Sequence, residues 1–423
     1  MRYLPFVFPW VAAFLLLSCG KSDPSTENGG SGSKKGPLEA VIGEVLPDWE
    51  DGYLDIHAIS TGRGECTFFI LPDGTTMTVD AGEVVTATTS PVSVTQRPSA
   101  DQRAYFTQSR YMKHFMEATG HSALDYMLMT HFHIDHFGTP GGKGFTMSSE
   151  GYTMTGLMAL YTTLPYTTLL DRAWSADDPD YHFVEESGTS YSDISEYIKF
   201  VKYAIAKKGL KMERFQAGRS DQLKLLYKPA SYPDFKIMNY AVNGEYWNGS
   251  GLVDAYGTAI PAENGNSAVF LLSYGKFDYY TGGDAGGNTR VAAPVARMIG
   301  RPVEAMKADH HMSVDCMFEE QMAILQPKVI ATQSFARRLD QPMIGTVDAL
   351  VNGTYYSRGC SLYFTNIDDV IYTPNQALYG KCHVNGHIVI RVLPGGGSFY
   401  VYQLDDTNNL YKVKSIEGPI ACE

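Results

Sequence analysis

Residues 131–136 read HFHIDH, the pattern H-x-H-x-D-H, which places three imidazoles and one carboxylate within six residues. At 11 histidines in 423 residues, chance would produce this pattern in the chain with a probability on the order of 10⁻³ or less. The stretch follows residues 124–130, which are apolar almost throughout, as expected of a central strand covered on both faces. The pattern predicts a metal site at a strand end, and a surface histidine cluster is the alternative.

The spacing of the four side chains indicates two ions. Alternate residues leaving a strand project to one side, so His131 and His133 are expected to bind the first ion. Asp135 and His136, at the turn into the next element, can then reach a second ion nearby. Imidazole and carboxylate ligands without thiolate suit zinc, manganese or iron, and we expect zinc, as one or two Zn²⁺ ions, with Mn²⁺ or Fe as alternatives.

The flanking sequence predicts an α/β fold. Apolar β runs at 54–59 and 66–71 are followed by a turn and a third strand at 77–80, which together begin a sheet. Amphipathic helices are predicted at 101–119 and at 192–208, each with one face spaced for burial and a glycine after its end.

The first residues resemble a bacterial lipoprotein signal. An apolar run too short to span a membrane ends in LLSCG at 16–20, which predicts a signal peptide over 1–18 and a lipidated Cys19. A signal peptide cut nearby, with Cys19 incidental, is the alternative. A Gly- and Ser-rich flexible tether is predicted over 19–50, followed by one domain over 51–423. Gly20 follows the cysteine rather than an aspartate, so we expect an extracytoplasmic protein at the outer membrane or cell surface.

Charge and cysteine content exclude several classes of protein. Lys and Arg total 34 against 46 Asp and Glu, a net charge of −12, so no stable nucleic-acid complex is expected and an anionic substrate needs local charge or metal. The five cysteines after Cys19 contain no CxxC pair, which excludes a zinc ribbon or a disulfide scaffold. Buried thiols are expected, and one or two disulfides among the last three cysteines remain open.

Other stretches extend the pattern beyond the histidines. They are TGRGEC at 61–66 with TVDAG at 78–82, FDYYTGGD at 277–284 and MKADHHMS at 306–313. With them, the chain resembles the metallo-β-lactamase-fold hydrolases over most of 52–404. This resemblance implies a metallo-β-lactamase-like four-layer αββα sandwich with its site at one edge of both sheets.

Two stretches resemble the ComEC-like branch of that family, the metallo-β-lactamase domain of DNA-uptake proteins. They are the Asn-Ser pair in NGNS at 264–267 and the closing hairpin at 386–402, and the His pair at 310–311 is similar to the same branch. Residues 138–190 are expected to form a lid-like insertion over the site, whose aromatic residues either stack on substrate or pack.

The resemblance implies a role for several further residues. Asp80 would buttress the metal loop, and Asp284 would bridge the two ions. His310 is expected to complete the second ion. His311 is expected to support a ligand, face the substrate or only pack behind its neighbour.

Asp135, His311 and Lys307 are the candidate catalytic groups. Lys307 would bind an anionic group of the substrate or form a salt bridge with Asp309 or another carboxylate.

The chain also departs from the family. Most members carry another histidine between the H-x-H-x-D-H loop and the Gly-Asp aspartate, where this chain has only His182, in a context that favours a role other than ligand. Water or Asn266 would then complete the first ion. Met312 replaces the usual glycine after the histidine pair, which leaves open how His311 is presented.

These observations predict a metal-dependent hydrolase that uses a metal-activated water. The expected substrate is a small molecule or a component of the cell envelope. Among bond types, we rank a phosphoester or phosphodiester first. A lactone, ester or amide is second, and a non-catalytic envelope binding protein on a degenerate metallo-β-lactamase fold is third.

Overall fold

The computed structural model describes residues 36–62, 64–84, 96–99, 102–139, 146–186, 191–333 and 341–423. The predicted signal peptide, Cys19 and residues 19–35 of the predicted tether lie outside these residues. Residues 35–423 form one compact unit.

Strands make up the two inner layers. In chain order they are β1 (Leu54–Ala58), β2 (Thr67–Ile70), β3 (Thr76–Val79), β4 (Leu124–Leu128), β5 (Tyr166–Asp171), β6 (Lys211–Arg214), β7 (Phe235–Val242), β8 (Glu245–Trp247), β9 (Leu252–Asp254), β10 (Val269–Tyr274), β11 (Phe277–Thr281), β12 (Ala305–Lys307), β13 (Val329–Thr332), β14 (Ser361–Phe364), β15 (His383–Val384), β16 (His387–Val392), β17 (Ser398–Leu404) and β18 (Val413–Ala421).

Helices make up the outer layers and the connections. In chain order they are α1 (Ala104–Met116), α2 (Ile134–Phe137), α3 (Gly156–Thr163), α4 (His182–Glu186), α5 (Tyr191–Lys208), α6 (Ala292–Ile299), α7 (Glu319–Leu325), α8 (Ile344–Val351), α9 (Asp369–Tyr372) and α10 (Gln376–Tyr379).

The strands form two nine-stranded mixed sheets. The first has the order β18-β17-β16-β1-β2-β3-β4-β5-β6, and the second has the order β15-β14-β13-β12-β11-β10-β7-β8-β9. A buried core joins their inner faces, with Phe69 and Leu128 from the first sheet and Phe270 and Tyr279 from the second. Apolar residues of α1, α3 and α5 cover the outer face of the first sheet, and those of α6, α7 and α8 cover the second. The expected four-layer αββα sandwich is confirmed.

The strand predicted at 124–130 and the two amphipathic helices are present in the structure. All five residues of β4 are buried, as a strand covered on both faces requires. Helix α1 buries Met112, Phe115 and Met116, and Gly120 ends the 3₁₀ turn that follows with φ 75°. The predicted helix at 192–208 corresponds to α5.

The interval 138–190, expected to form a lid, is divided by β5. This strand lies inside the first sheet, parallel to β4 on one side and β6 on the other. Tyr152, Tyr166 and Tyr181 are buried in the core under the outer helices, so these aromatic side chains pack rather than face a substrate. Residues 140–145 and 187–190 lie outside the described chain.

Residues 36–50, the N-terminal segment, belong to the domain although the tether was predicted to extend to residue 50. Leu46 and Trp49 are buried in the outer core of the first sheet. Arg391 Nη1 donates to the carbonyl oxygens of Pro37 and Pro47, at 2.9 Å each. The same guanidinium holds Asp55 with two bonds of 2.9 and 2.7 Å.

The five cysteines within the described residues are free thiols, at positions 66, 316, 360, 382 and 422. Within the part of the chain that the structure describes, no helix combines the length and the apolar character needed to cross a membrane.

The buried Asp55–Arg391 pair makes a stability prediction. Burial alone would raise the pKa of Asp55, but Arg391 and a hydrogen bond with His57 lower it to about 2. The pair's contribution is therefore complete above the ordinary pKa of 3.8 and is lost as the pH falls towards 2. We expect Asp55→Asn to lower the free energy of unfolding at pH 7 by about 3 kcal/mol, because a buried guanidinium loses its counter-charge.

Urea unfolding of the chelator-treated protein measures this difference at pH 7 and pH 3. The difference between wild type and variant should shrink at the lower pH. Asp51→Asn, which removes the exposed ion pair with Lys228, is the matched control and should change stability by about 0.5 kcal/mol or less. An unfolding midpoint unchanged by Asp55→Asn would contradict the role given to the pair.

Candidate metal centre

Asp80 fixes the loop that carries the histidines. It follows β3 with a left-handed φ of 58°, which turns its carboxylate towards the end of β4. Thr130 donates to this carboxylate through its backbone N–H and its hydroxyl, at 2.8 Å each, and His136 Nδ1 donates to it at 2.7 Å. Gly82 is required beside this turn, because a Cβ there would lie 1.7 Å from the Asp135 carbonyl oxygen. The end of β3 and the histidine loop are thus locked together.

His131 and His133 converge with Asp284, as their spacing predicts. His131 Nδ1 bonds the Thr130 hydroxyl at 3.1 Å, which turns Nε2 inward. That Nε2 lies 3.0 Å from His133 Nδ1 and 3.8 Å from Asp284 Oδ2. Burial and the neighbouring imidazoles lower the pKa of His131 well below its ordinary value, which keeps the ring neutral, the form that binds a metal.

A second group lies on the other side of Asp284. His136 Nε2 is 3.2 Å from Asp284 Oδ2 and 3.8 Å from Asp135 Oδ2. His311 Nε2 is 2.8 Å from Asp135 Oδ2 and 3.7 Å from Asp284 Oδ2. Two imidazole nitrogens and two carboxylates therefore face one another, and all four side chains are buried.

Glu65 supports this second group from behind. Its Oε1 lies 3.2 Å from His311 Nδ1, and its Oε2 lies 3.6 Å from His136 Nδ1. His311 Nδ1 also donates to the Gln333 carbonyl at 2.9 Å. The Nδ1 side of both rings is thus occupied, and Nε2 is the nitrogen directed at the carboxylates. Sequence reasoning did not single out Glu65, although it lies in the TGRGEC stretch.

Lys307 is buried rather than directed at a substrate. Its ammonium lies 2.9 Å from Glu65 Oε1 and donates to the carbonyls of Gly283 and Ala308 at 2.8 and 2.9 Å. Burial raises the pKa of Glu65, and Lys307 opposes that shift. Of the two alternatives for Lys307, the structure shows the salt bridge, with Glu65 instead of Asp309.

His310 occupies the rim of the centre instead of the second group. Its Nδ1 donates to Asp315 Oδ1 at 2.7 Å, while Nε2 lies 3.3 Å from Asn264 Nδ2 and 3.7 Å from Asp284 Oδ2. Its side chain is 15% exposed, against 1% for His311. His310 was predicted to complete the second ion, but it is His311 whose Nε2 lies beside Asp135 and Asp284.

The backbone explains how adjacent histidines point to different places. His310, His311 and Met312 have φ values of 41°, 52° and 60°, three successive left-handed residues. Met312 takes a left-handed conformation that glycine adopts without strain, and its side chain is fully buried. The substitution at 312 therefore does not turn His311 away from the centre.

His182 and Asn266, the two residues considered as a further ligand of the first ion, lie in different places. His182 is 70% exposed and bonds Asp178 at 2.7 Å, on α4. Asn266 is fully buried. The next residue, Ser267, lies beside Asp284, because its hydroxyl oxygen accepts the Asp284 backbone N–H at 3.1 Å. Asn266 Oδ1 has no hydrogen-bond partner among the described residues.

The donor set fits two metal ions that share Asp284. The ligand atoms of His131, His133 and Asp284 lie within 4.8 Å of one another. Glu65, His136, Asp284 and His311 also lie within 4.8 Å, but Glu65 faces the Nδ1 atoms of the two rings, whereas Asp135 and Asp284 face their Nε2 atoms. Asp284 Oδ1 is buried without a hydrogen-bond partner in the described chain, although burial of a free carboxylate oxygen is costly. Burial would raise the pKa of Asp284, but the surrounding histidines hold it well below its ordinary value. A cation at each group would satisfy these atoms.

No protein-family model and no curated protein matches the chain. Among solved structures, CmlA from Streptomyces venezuelae, a diiron β-hydroxylase, has a TM-score of 0.36 and 13% identity over 75% of this chain and 53% of its own. This chain thus spans about half the length of CmlA.

Two other solved structures are covered almost completely. Zn²⁺-bound PqqB from Methylobacterium extorquens has a TM-score of 0.36 and 11% identity, over 74% of this chain and 97% of that chain. A Parabacteroides distasonis protein provisionally designated a metal-dependent hydrolase has a TM-score of 0.33 and 13% identity, over 74% and 92%.

The different positions of His310 and His311 predict different metal contents. We expect His311→Ala to reduce bound metal from about two ions to about one per chain, because the second group loses an inward nitrogen. His310→Ala should retain both ions. Metal analysis of the purified proteins after reconstitution with Zn²⁺ measures this. A loss of metal from His310→Ala with full occupancy in His311→Ala would reverse the assignment, and His182→Ala is the control that should change nothing.

Proposed function

We propose that the protein is a metal-dependent hydrolase with a dinuclear centre. His131, His133 and Asp284 would hold one ion, and Asp135, His136, His311 and Asp284 would hold the other. The observation that carries the proposal is the position of Asp284, whose carboxylate lies within 4 Å of imidazole nitrogens from both groups. Zn²⁺ is the proposed metal, since imidazole and carboxylate donors without thiolate suit it, and Mn²⁺ or Fe would fit the same donors.

When bound, two such cations would lower the pKa of a water and polarise the oxygen of a scissile bond. The chain's own residues would supply the remaining functions. Asp80 and Glu65 lie behind the imidazole rings and hold them in place, and Lys307 in turn holds Glu65; all three side chains are buried. His310 lies at the rim with Nδ1 committed to Asp315, and its Nε2, which lies 3.3 Å from the Asn264 amide nitrogen, would hold or release a proton next to a substrate. His310 is thus the proposed acid–base group, whereas Lys307, a candidate catalytic residue from the sequence, lies against Glu65.

A phosphoester or phosphodiester is the proposed substrate class. Support comes from the resemblance of residues 264–267 and 306–313 to the ComEC-like branch. The net charge of −12 argues against long DNA and is compatible with a small phosphoester or a component of the cell envelope. Hydrolysis of a lactone, ester or amide is the second candidate, because the same centre would polarise a carbonyl oxygen. A non-catalytic binding role at the envelope is the third.

A substrate panel tests this ranking. Chromogenic phosphodiester, phosphomonoester, lactone and β-lactam compounds are assayed with Zn²⁺ and with Mn²⁺, and we expect turnover of a phosphoester. Asp284→Ala should abolish it, because both ions lose a shared ligand. Turnover that survives Asp284→Ala would contradict the dinuclear mechanism, and silence across the panel at full metal occupancy would favour the binding role.

His310→Ala separates chemistry from metal binding in the same assay. We expect kcat to fall by about 10²-fold or more with metal content unchanged, since a positioned acid–base group contributes about that factor. Asp178→Asn, which removes the exposed partner of His182, is the matched control and should leave kcat unaltered.

We also propose that the chain is a lipoprotein anchored through Cys19 at the outer membrane or cell surface. The supporting feature is the LLSCG stretch, with Gly20 after the cysteine. From Cys19 to Pro37, a flexible chain would span about 20–25 Å, which would keep the domain close to the bilayer. Two or more acyl chains would make such an anchor stable.

Fractionation of cells that express wild type or Cys19→Ala tests the anchor. We expect wild type in the membrane fraction and the variant in a soluble or unprocessed form, because the variant lacks the thiol that would be acylated. Cys360→Ala is the control and should fractionate as wild type does. Recovery of wild type and Cys19→Ala together as soluble cytoplasmic protein would contradict the proposal.

A further inference from the structure

A buried ion pair lies directly beneath the histidine loop. Arg172 follows β5 and is fully buried. Its Nε and Nη2 donate to the two carboxylate oxygens of Glu263 at 2.8 and 2.6 Å. Its Nη1 donates to Asn243 Oδ1 at 3.1 Å, and its guanidinium carbon lies 4.9 Å from the centre of the Phe132 ring. The two donors of a planar guanidinium therefore fix both the position and the orientation of the Glu263 carboxylate.

Glu263 also reaches the metal loop itself. Its Oε1 accepts the backbone N–H of Phe132 at 2.7 Å. Phe132 is the residue between His131 and His133, so this bond holds the peptide that joins the two proposed ligands of the first ion. The 3.0 Å approach of His131 Nε2 to His133 Nδ1 depends on the direction in which that peptide runs. The carboxylate of Glu263 belongs to neither group of ligands and lies on the backbone side of the loop.

The outer helix layer anchors the same pair from the opposite side. Asp171, adjacent to Arg172, accepts the hydroxyls of Tyr181 and Tyr197 at 2.7 Å each. It also accepts the backbone N–H groups of Ala173 and Trp174 at 2.8 and 2.6 Å. Four donors thus fix the end of β5, from which Arg172 extends towards the second sheet.

We propose that Glu263 is a positioning residue for the first metal site, held in place by Arg172. Its function is to accept the Phe132 N–H and so set the separation of His131 and His133. This inference rests on the proposed dinuclear centre. The alternative is that Arg172 and Glu263 only stabilise the fold, as the pair of Asp55 and Arg391 does elsewhere.

Two substitutions of Glu263 distinguish these roles. Glu263→Asp keeps the negative charge beside Arg172 but withdraws the carboxylate by one methylene from Phe132. Glu263→Gln keeps an acceptor oxygen within reach of the Phe132 N–H but removes the charge. A positioning role predicts that metal affinity suffers more in the Asp variant and stability more in the Gln variant. A purely structural role predicts that metal affinity follows stability in both.

Co²⁺ titration followed by visible absorption measures metal affinity in the full domain, and thermal unfolding measures stability. The first site has three proposed protein ligands against four at the second, so we take it as the weaker-binding site. We expect its Kd for Co²⁺ to rise about 10–100-fold in Glu263→Asp, the size of effect usual for losing a group that orients metal ligands. Glu263→Gln should stay within about threefold of wild type in Kd. Asp55→Asn, which breaks a comparable buried pair far from the loop, should lower stability without changing Kd.

Hydrogen exchange of the metal-free protein supplies a second readout. We expect faster amide exchange in the peptide that contains residues 131–137 for Glu263→Asp, and wild-type exchange there for Glu263→Gln and Asp55→Asn. Should Glu263→Asp fail to fold, Arg172→Lys replaces it, since a lysine makes one bond to Glu263 in place of two. Faster exchange and weaker Co²⁺ binding are expected there as well.

The inference would be overturned if Glu263→Asp had the same Kd and the same amide exchange as wild type. The same outcome for Arg172→Lys, where that variant is used, would also overturn it. Neither result would contradict the proposed function. Wild-type protein that takes up no Co²⁺ would overturn the proposed function, and the inference with it.

Discussion

One buried carboxylate, that of Asp80, sets the geometry on which the centre depends. A charge taken out of water must be compensated by donors, and the donors available at this point belong to Thr130 and His136. Satisfying Asp80 therefore draws the end of β4 and the histidine loop against β3. The same bonds leave the Thr130 hydroxyl oxygen to accept His131 Nδ1. The orientation of two imidazoles is thus a consequence of one compensated charge.

The sandwich brings residues that are distant in sequence to one edge, because several strands of both sheets end at that edge. The ends of β3 and β4 supply Asp80 and the histidine loop, and the end of β11 leads to Asp284. The segment after β12 carries His310 and His311, and the end of β13 supplies the Gln333 carbonyl. Each contribution comes from a loop held by a buried strand, which is the usual way in which a rigid scaffold positions reactive groups.

The parts of this structure that the sequence predicts are those encoded locally. Apolar runs of strand length and the H-x-H-x-D-H spacing identify the sheet, β4 and the convergence of His131 and His133, because periodicity depends on neighbouring residues. The contact between Arg172 and Glu263 joins residues 91 positions apart, and no local pattern marks it. His311 takes the position predicted for His310 because residues 310–312 all have left-handed φ values. A methionine at 312 gives no sign of such a backbone, since non-glycine residues seldom adopt it. Leu46 and Trp49 lie in the stretch 38–49, which has several apolar residues but adjoins the Gly- and Ser-rich segment, so the predicted tether was extended over them.

Arg391 also ties the N-terminal segment to the first sheet. Its guanidinium grips two carbonyls of the N-terminal segment, those of Pro37 and Pro47, and is itself braced by Asp55. A load applied to the chain ahead of residue 36 would reach β16 and its neighbour β1 through these bonds, and β18 through the backbone bonds of Gly43 and Glu44 with Val413. None of the atoms on this route belongs to the histidine loop or to Asp284. Tension in the N-terminal segment would therefore act on β1, β16 and β18 of the first sheet, and not directly on the histidine loop or on Asp284.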